Sequence, residues 1–341
     1  MNEHLLKGYI GTYTDGDSKG IYGFNFDLNN NKFTNISLSY EIDKPSYLAI
    51  DKNNNRLYSI AKINNDGGVA AFNINDDFSL NLINYNVEEG NPPCHISLSN
   101  DKNFLFSANY HENKIISYSL NGDGSLNPKK EVLSHDGDNP HIHYVSLDPG
   151  QNFLYSLDLG LDKMNIYEFK NGSLLKRNDL TIPFSKGCGP RHMAFHPTKR
   201  YAYVLTESSS EIAVFKYDTL GKLNLINVLS TLPNKYCGVK SGAAIHIHPN
   251  GQYLYTSNRG HNSISIFAID EETSNLTLLG HQSTFGSGPR DFSISQDGKY
   301  LMVANQDTSS IVAFSIDYKT GMLNDVLDTI NVPNPVCLKF L

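Results

Sequence analysis

Three of the six arginines in this chain stand at related places in repeated strings. Arg191 and Arg290 each follow a Gly-Pro pair, and Arg259 follows Tyr-Thr-Ser-Asn. Guanidinium groups bind carboxylates and phosphates through a planar fork, so several of them in one concavity are typical of an anion site. The whole chain carries a net charge of −7, with 28 basic and 35 acidic residues. Three positive side chains at related positions are therefore notable in a negatively charged protein. Their arrangement predicts a site that binds a small anion.

Groups that could move a proton accompany the arginines. Glu207 occupies a position at which the related segments have neutral or basic residues. A carboxylate beside arginines is an ion-pair partner with a lowered pKa, or a general base, or a group that orients a histidine base. His143 shares the repeat position of Arg191 and Arg290, and a short insertion places His141 next to it. The sequence leaves the division of roles among these groups open.

Other candidates break the repeat in different ways. His141 and His143 could hold a metal from one face, but no third ligand has matching spacing, so we expect no metal and no other cofactor. Asp158 either orients a neighbouring histidine or caps a loop. His246 and Lys339 stand where the other repeats have small residues, in the middle of the first strand. We expect His246 to lie beneath the arginines, with Lys339 as a second candidate.

A repeat of about 48 residues must position these groups. Each unit has a strand of alternating apolar residues, a turn rich in Asn, Asp, Gly and Pro, a strand such as Tyr-Ala-Tyr-Val, and two further strands. Four short strands in such a period are typical of a β-propeller blade. The units open at these residues: Pro45, Pro93, Ile142, Pro190, Gly242, Pro289 and Pro335.

The ends of the chain predict how the ring closes. The string that begins at Tyr9 matches the second strand of a unit, and residues 335–341 supply the first strand that it lacks. We therefore predict an all-β fold: a single domain, residues 1–341, that forms a seven-bladed propeller. Blade one is split between about 8–44 and 335–341, and pairing of the terminal strands leaves no open edge at the seam.

The same topology predicts where the chemistry lies. The loop that enters strand one and the loop that leaves strand two open on one face of a propeller. Side chains at the start of strand one, such as His143, Arg191 and Arg290, should therefore meet those at the exit of strand two, such as Glu207 and Arg259. The expected site is one mouth of the central channel.

Composition excludes several classes of protein. No apolar run reaches 18 residues and the N-terminus has no secretory signal, so we expect a cytoplasmic protein without a membrane partner. The absence of a basic tract argues against nucleic acid. The four cysteines show no CxxC or zinc spacing, which favours reduced thiols. Composition is compatible with a monomer or a homodimer.

Several strings together resemble the lactonase family of seven-bladed propellers, which includes the cytoplasmic 6-phosphogluconolactonases and the fungal carboxy-cis,cis-muconate cyclases. The most specific string is Gly-Pro-Arg-His-Met-Ala-Phe-His-Pro, from Gly189. Ala244 stands where phosphogluconolactonase-like members tend to have Asp, which leaves the exact lactone open. The other matching strings are Tyr9-IGTYT, Pro140-HIHYVSLDP, Asp158-LGLD, Ala244-IHIHPNGQYLYTSNR, Gly288-PR and Asp297-GKYLMVAN.

The resemblance implies hydrolysis of a small anionic sugar lactone, most simply 6-phosphogluconolactone. It places the catalytic residues at His143, Arg191, Glu207 and Arg259, and ligand contacts at Arg290 and His246. The departures from the repeat add His141 and Asp158 as further substrate-binding candidates. In this interpretation Glu207 and His143 handle protons, Arg191 and Arg259 stabilise the oxyanion, and Arg290 holds the distal anion. The alternatives are another lactonase, a carboxymuconate cycloisomerase, or a propeller that binds a protein without catalysis.

Overall fold

The computed structural model describes residues 4–341, apart from the side chain of Lys130. The described chain forms seven antiparallel sheets, each the blade of a propeller. Blade one contains β1 (Leu5–Thr12), β2 (Gly20–Asp27) and β3 (Lys32–Glu41). Blade two contains β4 (Leu48–Asp51), a 3₁₀ turn (Lys52–Asn54), β5 (Arg56–Ile63), β6 (Asp66–Ile74) and β7 (Leu80–Glu89). Blade three contains β8 (His95–Leu98), β9 (Phe104–Asn109), β10 (Lys114–Leu120) and β11 (Leu126–Leu133).

The remaining blades repeat this order. Blade four contains β12 (Ile142–Leu147), β13 (Phe153–Asp158), β14 (Lys163–Lys170), β15 (Ser173–Lys176), a 3₁₀ turn (Asn178–Leu180) and β16 (Ile182–Pro183). Blade five contains β17 (Pro190–Phe195), β18 (Tyr201–Thr206), β19 (Glu211–Tyr217) and β20 (Leu223–Ser230). Blade six contains β21 (Ser241–Ile247), β22 (Tyr253–Arg259), β23 (Ser263–Ile269) and β24 (Leu276–Ser283). Blade seven contains β25 (Pro289–Ile294), β26 (Tyr300–Asn305), β27 (Ser310–Ile316) and β28 (Leu323–Asn331).

The final strand, β29 (Pro335–Phe340), closes the ring. It pairs antiparallel with β1, from Gly8 opposite Phe340 to Gly11 opposite Cys337, and completes blade one. The predicted seven blades and the predicted closure by the two ends of the chain are confirmed. A fifth short strand in blade four, β16, was not expected from the repeat. Within residues 4–341, no helix is long enough and apolar enough to cross a bilayer.

The hydrophobic core is divided among the interfaces between blades. Each of seven clusters draws its buried residues mainly from two neighbouring blades, so every blade is stabilised on both sides. Phe72, for example, is fully buried where blade two meets blade one. Burial of a side chain of this size stabilises the fold by about 1.5–3 kcal/mol. All four cysteines are free thiols, as the sequence predicted.

A recurring tyrosine anchors the second strand of most blades. Each of these side chains is buried between two blades, and its hydroxyl donates to a backbone carbonyl in a turn of the next blade. Each stands four residues before a strand-two exit position, so it lies on the same side of the strand as that position. The anchors therefore fix the direction of the strands that carry the candidate site. The donor–acceptor pairs are Tyr58–Gly124, Tyr155–Gly221, Tyr203–Ser274 and Tyr255–Gly321, at 2.8–3.1 Å.

Two histidines stabilise turns on the opposite face of the propeller. His196 Nε2 donates to the carbonyl of Gly251, and its Nδ1 accepts from backbone N–H groups two and three residues further on. His248 makes the equivalent bond to Gly298 of the next blade. These histidines are turn residues that fasten neighbouring blades together.

Candidate active site

The candidate site is a cavity of about 410 Å³ at one mouth of the channel. Both predicted sets of positions contribute to its wall, which confirms that they meet at one end of the ring. The wall also includes loop residues that belong to neither set. From the start of strand one come Ser46, Cys94, His143 and Arg290. From the exit of strand two come Tyr13, Lys62, Tyr110, Glu207 and Arg259. From loops come Lys44, Asn91, Pro92, Pro93 and His111.

β-Bulges set the direction of three key side chains. In blade five, Pro190 pairs with Thr206 and His192 pairs with Leu205. Arg191 between them has no partner in β18 and is the extra residue of a β-bulge. The same shift occurs at His143 in β12 and at Arg290 in β25. A bulge bends its strand and re-aims the extra side chain. Three bulges at equivalent positions therefore present an imidazole and two guanidiniums to the channel end.

Glu207 is held by two guanidiniums through a single oxygen. Its Oε2 accepts a hydrogen bond from Nε of Arg191 at 2.9 Å and one from Nη2 of Arg259 at 2.9 Å. Among the described residues, none donates a hydrogen bond to Oε1. The Glu207 side chain is 28% exposed and lines the cavity, so this second oxygen is available to a ligand.

The two arginines differ in exposure. Arg191 is 2% exposed and lines only a small pocket beneath the mouth. It is held in place because Nη1 donates to Nε2 of His192 at 3.1 Å and also to the carbonyl of Ala243. Arg259 lines the mouth itself and donates from Nη2 to the carbonyl of Gly242. Arg259 can therefore contact a ligand, whereas Arg191 acts on Glu207 from behind.

The charges of the site follow from burial and from these contacts. Burial alone would raise the pKa of Glu207, but the neighbouring guanidiniums outweigh it, and the pKa lies below its ordinary value. Glu207 is therefore ionised at neutral pH. Burial, with repulsion from Arg259 and Arg290, lowers the pKa of Arg191 to about 10, which leaves it charged. Burial is also the main reason that the pKa of His143 falls well below its usual range, so its imidazole is neutral.

Two polar atoms at the mouth lack partners. Nδ1 of His143 and Nε of Arg259 are buried, and no group within the described residues 4–341 hydrogen-bonds to either of them. A buried polar atom without a partner costs about 1–3 kcal/mol, so such atoms are uncommon in folded proteins. Both belong to residues that line the same cavity as the free Oε1 of Glu207. Together these groups can accept a proton, donate a hydrogen bond and stabilise negative charge.

The structure corrects the expectation that Asp158 binds substrate. Its side chain is fully buried, and Oδ2 lies 2.6 Å from Nδ1 of His135. Oδ1 accepts from the backbone N–H groups of His141, Gly160 and Leu161. Its acceptor positions are therefore occupied by the protein. Asp158 instead fixes the backbone of the insertion that carries His141 and His143.

His141 lies behind the wall of the mouth. Its imidazole stacks on Tyr110 at a ring separation of 4.2 Å, with the two planes 5° apart, and its Nδ1 lies 3.1 Å from the carbonyl of Tyr110. Tyr110 lines the cavity and His141 does not. His141 therefore supports the tyrosine, and the expected direct contact with a substrate is not what this geometry provides.

His246 and Lys339 lie at the other end of the channel, so the expectation that His246 sits beneath the arginines is corrected. Both line a separate cavity of about 480 Å³ on the far face. His246 Nε2 lies 3.3 Å from Oδ1 of Asp291, and Lys339 Nζ lies 3.5 Å from Oδ2. Asp291 is 1% exposed and also accepts from the backbone N–H of Leu338. This cluster joins blades six and seven to the closing strand.

Two useful residues escaped the sequence prediction. His192 follows Arg191 directly, and only the folded geometry shows that its Nε2 accepts from that guanidinium. Asp291 could have been inferred, because two cationic side chains among small residues near the axis require a buried counter-charge. Asp291 directly follows Arg290, and at this point of the repeat only the arginine was considered in the sequence prediction.

Comparison with known proteins agrees with this fold. Residues 7–340 match the family model described as lactonase, 7-bladed beta-propeller. The chain belongs to this lactonase family. It is 38% identical over 343 residues to the 6-phosphogluconolactonase of Bacillus subtilis, with 98% of each chain covered. This relationship, together with the family match, makes the protein a lactone hydrolase.

Solved structures show the same architecture across the full length of this family member. A protein from Lactobacillus plantarum is 33% identical and superposes with a TM-score of 0.94, covering 99% of both chains. The periplasmic gluconolactonase of Pseudomonas aeruginosa is 28% identical, with a TM-score of 0.93 and 99% of both chains covered. The relatives thus include proteins named for a phosphorylated and for an unphosphorylated sugar lactone.

Proposed function

We propose that this protein hydrolyses 6-phosphogluconolactone to 6-phosphogluconate at the cavity lined by His143, Glu207 and Arg259. The name of the Bacillus subtilis relative supports this substrate. The observation that carries the proposed mechanism is the Glu207 carboxylate, which has one oxygen bound by two arginines and the other free at the cavity.

The first step of the proposed reaction is attack of water on the lactone carbonyl carbon. Oε1 of Glu207 accepts a proton from the water as its oxygen bonds to that carbon, and the carbonyl becomes an oxyanion. General base catalysis of this kind contributes on the order of 10²–10⁴ in rate. Nε of Arg259, which is buried without a partner, donates to the oxyanion. Loss of such a donor typically costs about 3–4 kcal/mol of transition-state stabilisation.

The second step is cleavage of the bond between the carbonyl carbon and the ring oxygen. The tetrahedral intermediate collapses, the ring oxygen leaves as an alkoxide, and it receives the proton that Glu207 took from the water. His143 relays this proton: its neutral imidazole accepts the proton at Nδ1, which has no partner among residues 4–341, and releases it to the alkoxide. The new carboxyl group ionises in water, so the net change is addition of one water molecule and release of one proton. Arg191 favours the ionised form of Glu207 in the free enzyme and keeps its side chain oriented in both steps.

The test is enzyme-dependent hydrolysis of freshly generated 6-phosphogluconolactone, followed by acid release. Wild-type protein should exceed the spontaneous rate, and Arg259→Met should lose most of that acceleration. Arg177→Met is the matched control, because Arg177 follows β15, pairs with Asp179 and does not line the cavity. A rate equal to the spontaneous one for wild-type protein would overturn 6-phosphogluconolactone as the substrate, and full activity in Arg259→Met would overturn the assigned site.

A further inference from the structure

The half of the mouth that faces Glu207 is built by different blades from the half that carries the proposed catalytic groups. His143, Glu207 and Arg259 come from blades four, five and six. Blades seven, one and two, on the other side of the ring, contribute Arg290, Tyr13 and Lys62 to the same cavity, together with Lys44. The mouth therefore has two sides. Blades four to six contribute the Glu207 carboxylate, whereas the side chains that blades seven, one and two contribute are cationic or neutral.

Arg290 presents a guanidinium with unused donors. Its Cζ lies 5.1 Å from the centre of the Tyr13 ring, so the two planar groups are in contact. Within residues 4–341, no carboxylate lies within ion-pair distance of this guanidinium. Stacking on an aromatic ring fixes the orientation of a guanidinium and leaves the N–H groups at its edge free. Arg290 is thus oriented and uncompensated.

Lys62 provides a second uncompensated charge. Its backbone is fixed because its N–H donates to the carbonyl of Asp43 at 2.9 Å. Lys62 lines the cavity, and the described part of the chain offers its ammonium no carboxylate within 4.0 Å. Lys44, the neighbouring lysine at the same mouth, differs because its Nζ pairs with Asp15. Of these two lysines, only Lys62 keeps its charge available to a ligand.

The charge of the mouth matches a phosphorylated substrate. Glu207 compensates one of the two guanidiniums that bind it, so one positive charge remains on the catalytic side. Arg290 and Lys62 add two on the opposite side. A phosphate monoester carries a charge of about −1.5 to −2 at pH 7, and the oxyanion of the transition state adds one more negative charge. An unphosphorylated lactone would leave the two charges of the opposite side without a partner.

We propose that Lys62 and Arg290 form a phosphate subsite, and that this subsite makes the enzyme prefer a phosphorylated sugar lactone over its unphosphorylated form. This inference rests on the proposed function. It adds Lys62 as a specificity-determining residue, and it sets the orientation of the substrate, with the lactone carbonyl towards Glu207 and the phosphate towards blades seven and two.

The test compares 6-phosphogluconolactone with glucono-δ-lactone in Lys62→Met, Lys62→Arg and wild-type protein. Lys62→Met should reduce kcat/KM for the phosphorylated lactone about tenfold to hundredfold, as expected for loss of a hydrogen bond to a charged group. It should leave kcat/KM for glucono-δ-lactone unchanged, and Lys62→Arg should restore most of the preference. Lys102→Met is the matched control, because it removes the same charge from the far cavity.

Binding of the reaction product separates failure of this inference from failure of the proposed function. Calorimetric titration with 6-phosphogluconate and with gluconate needs no turnover. Lys62→Met should weaken 6-phosphogluconate binding about tenfold to hundredfold and leave gluconate binding unchanged. Equal effects on both ligands, or no effect on either, would overturn the subsite even if wild-type protein hydrolyses the phosphorylated lactone. Absence of hydrolysis by wild-type protein, with selective loss of 6-phosphogluconate binding in Lys62→Met, would overturn the proposed reaction and retain the subsite.

Discussion

Arg191 donates from Nε to Oε2 of Glu207 over 2.9 Å, and only 3% of its own side chain is exposed. The guanidinium therefore lies behind the carboxylate, on the side away from the cavity. Arg259 binds the same oxygen from the mouth. This arrangement directs the remaining oxygen of Glu207 towards a ligand, and it separates the two arginines into one that orients the proposed base and one that can contact the substrate.

Replacement of Arg191 should therefore lower kcat more than it raises KM. In Arg191→Met we expect kcat for the lactone to fall on the order of 100-fold, because Glu207 loses half of its charge compensation and its fixed orientation. Arg191→Lys should not rescue activity, since an ammonium cannot donate at once to Glu207, His192 and the carbonyl of Ala243. Steady-state kinetics on folded protein checks this. An increase in KM with unchanged kcat would show that Arg191 contacts the substrate directly.

Glu207→Gln should abolish most of the enzymatic acceleration. The amide keeps the shape of the side chain, but it cannot accept a proton from water, and we expect kcat to fall about 10²–10⁴-fold. Gln can still accept hydrogen bonds from Arg191 and Arg259, so the site should remain assembled. The measurement is initial rate against the spontaneous rate, with product binding as a check of the site. Retention of more than a tenth of wild-type kcat would assign the base to His143.

The imidazole of His143 should titrate well below pH 6.5. Burial is the main cause of its lowered pKa, and the positive charges of Arg191 and Arg290 add to it. Removal of one positive charge favours the protonated imidazole, so Arg290→Met should raise the pKa of His143. NMR titration of the His143 ring protons in the free enzyme measures both values without interference from the phosphate of a substrate. A wild-type pKa near 6.5, or a downward shift in the variant, would contradict this account.

The repeat in the sequence was sufficient to predict the ring, its closure and the mouth at which the site lies. It failed where position along a strand decides which cavity a side chain reaches. His246 stands three residues beyond the start-of-strand position, and at about 3.3 Å per residue this displaces it about 10 Å towards the far face. The repeat showed that His246 stands where most blades have a small residue, but it did not show which end of the channel the side chain faces.

The error at Asp158 arose from the alternation of side chains along a strand. Asp158 precedes the exit position by one residue, so its side chain points to the opposite side of the strand from the site. Asn258 and Asn305 occupy the equivalent place in blades six and seven, and both are buried and bonded to a loop before strand one. A comparison of this position across blades would have indicated a structural role. The unpaired state of Lys62 had no sequence signal, because it depends on which carboxylates lie nearby in space.

The Asp291 cluster predicts a pH-dependent contribution to stability at the seam of the ring. Asp291 is buried, and although burial raises its pKa, the charge of Lys339 and the hydrogen bond from His246 outweigh that effect and depress the pKa. A carboxyl group with a depressed pKa in the folded state stabilises the fold fully above its unfolded pKa of about 3.9, and this contribution is lost as pH falls towards the folded value. Asp291→Asn removes the counter-charge of Lys339, whose side chain is 21% exposed, so we expect a loss of about 1.5–3 kcal/mol in the free energy of unfolding at pH 7.

The difference between wild-type protein and Asp291→Asn should shrink below about pH 4, because wild-type Asp291 then becomes protonated more readily in the unfolded chain than in the fold. Urea unfolding at several pH values measures it. Asp297→Asn is a control in the same blade, since Asp297 lies in an exposed turn, where it forms an ion pair with Lys299 and accepts a hydrogen bond from Ser295. Because Asp291 does not line the cavity at the mouth, kcat of the folded variant should remain close to wild type. A pH-independent difference would mean that Asp291 stabilises the seam through packing and not through its charge.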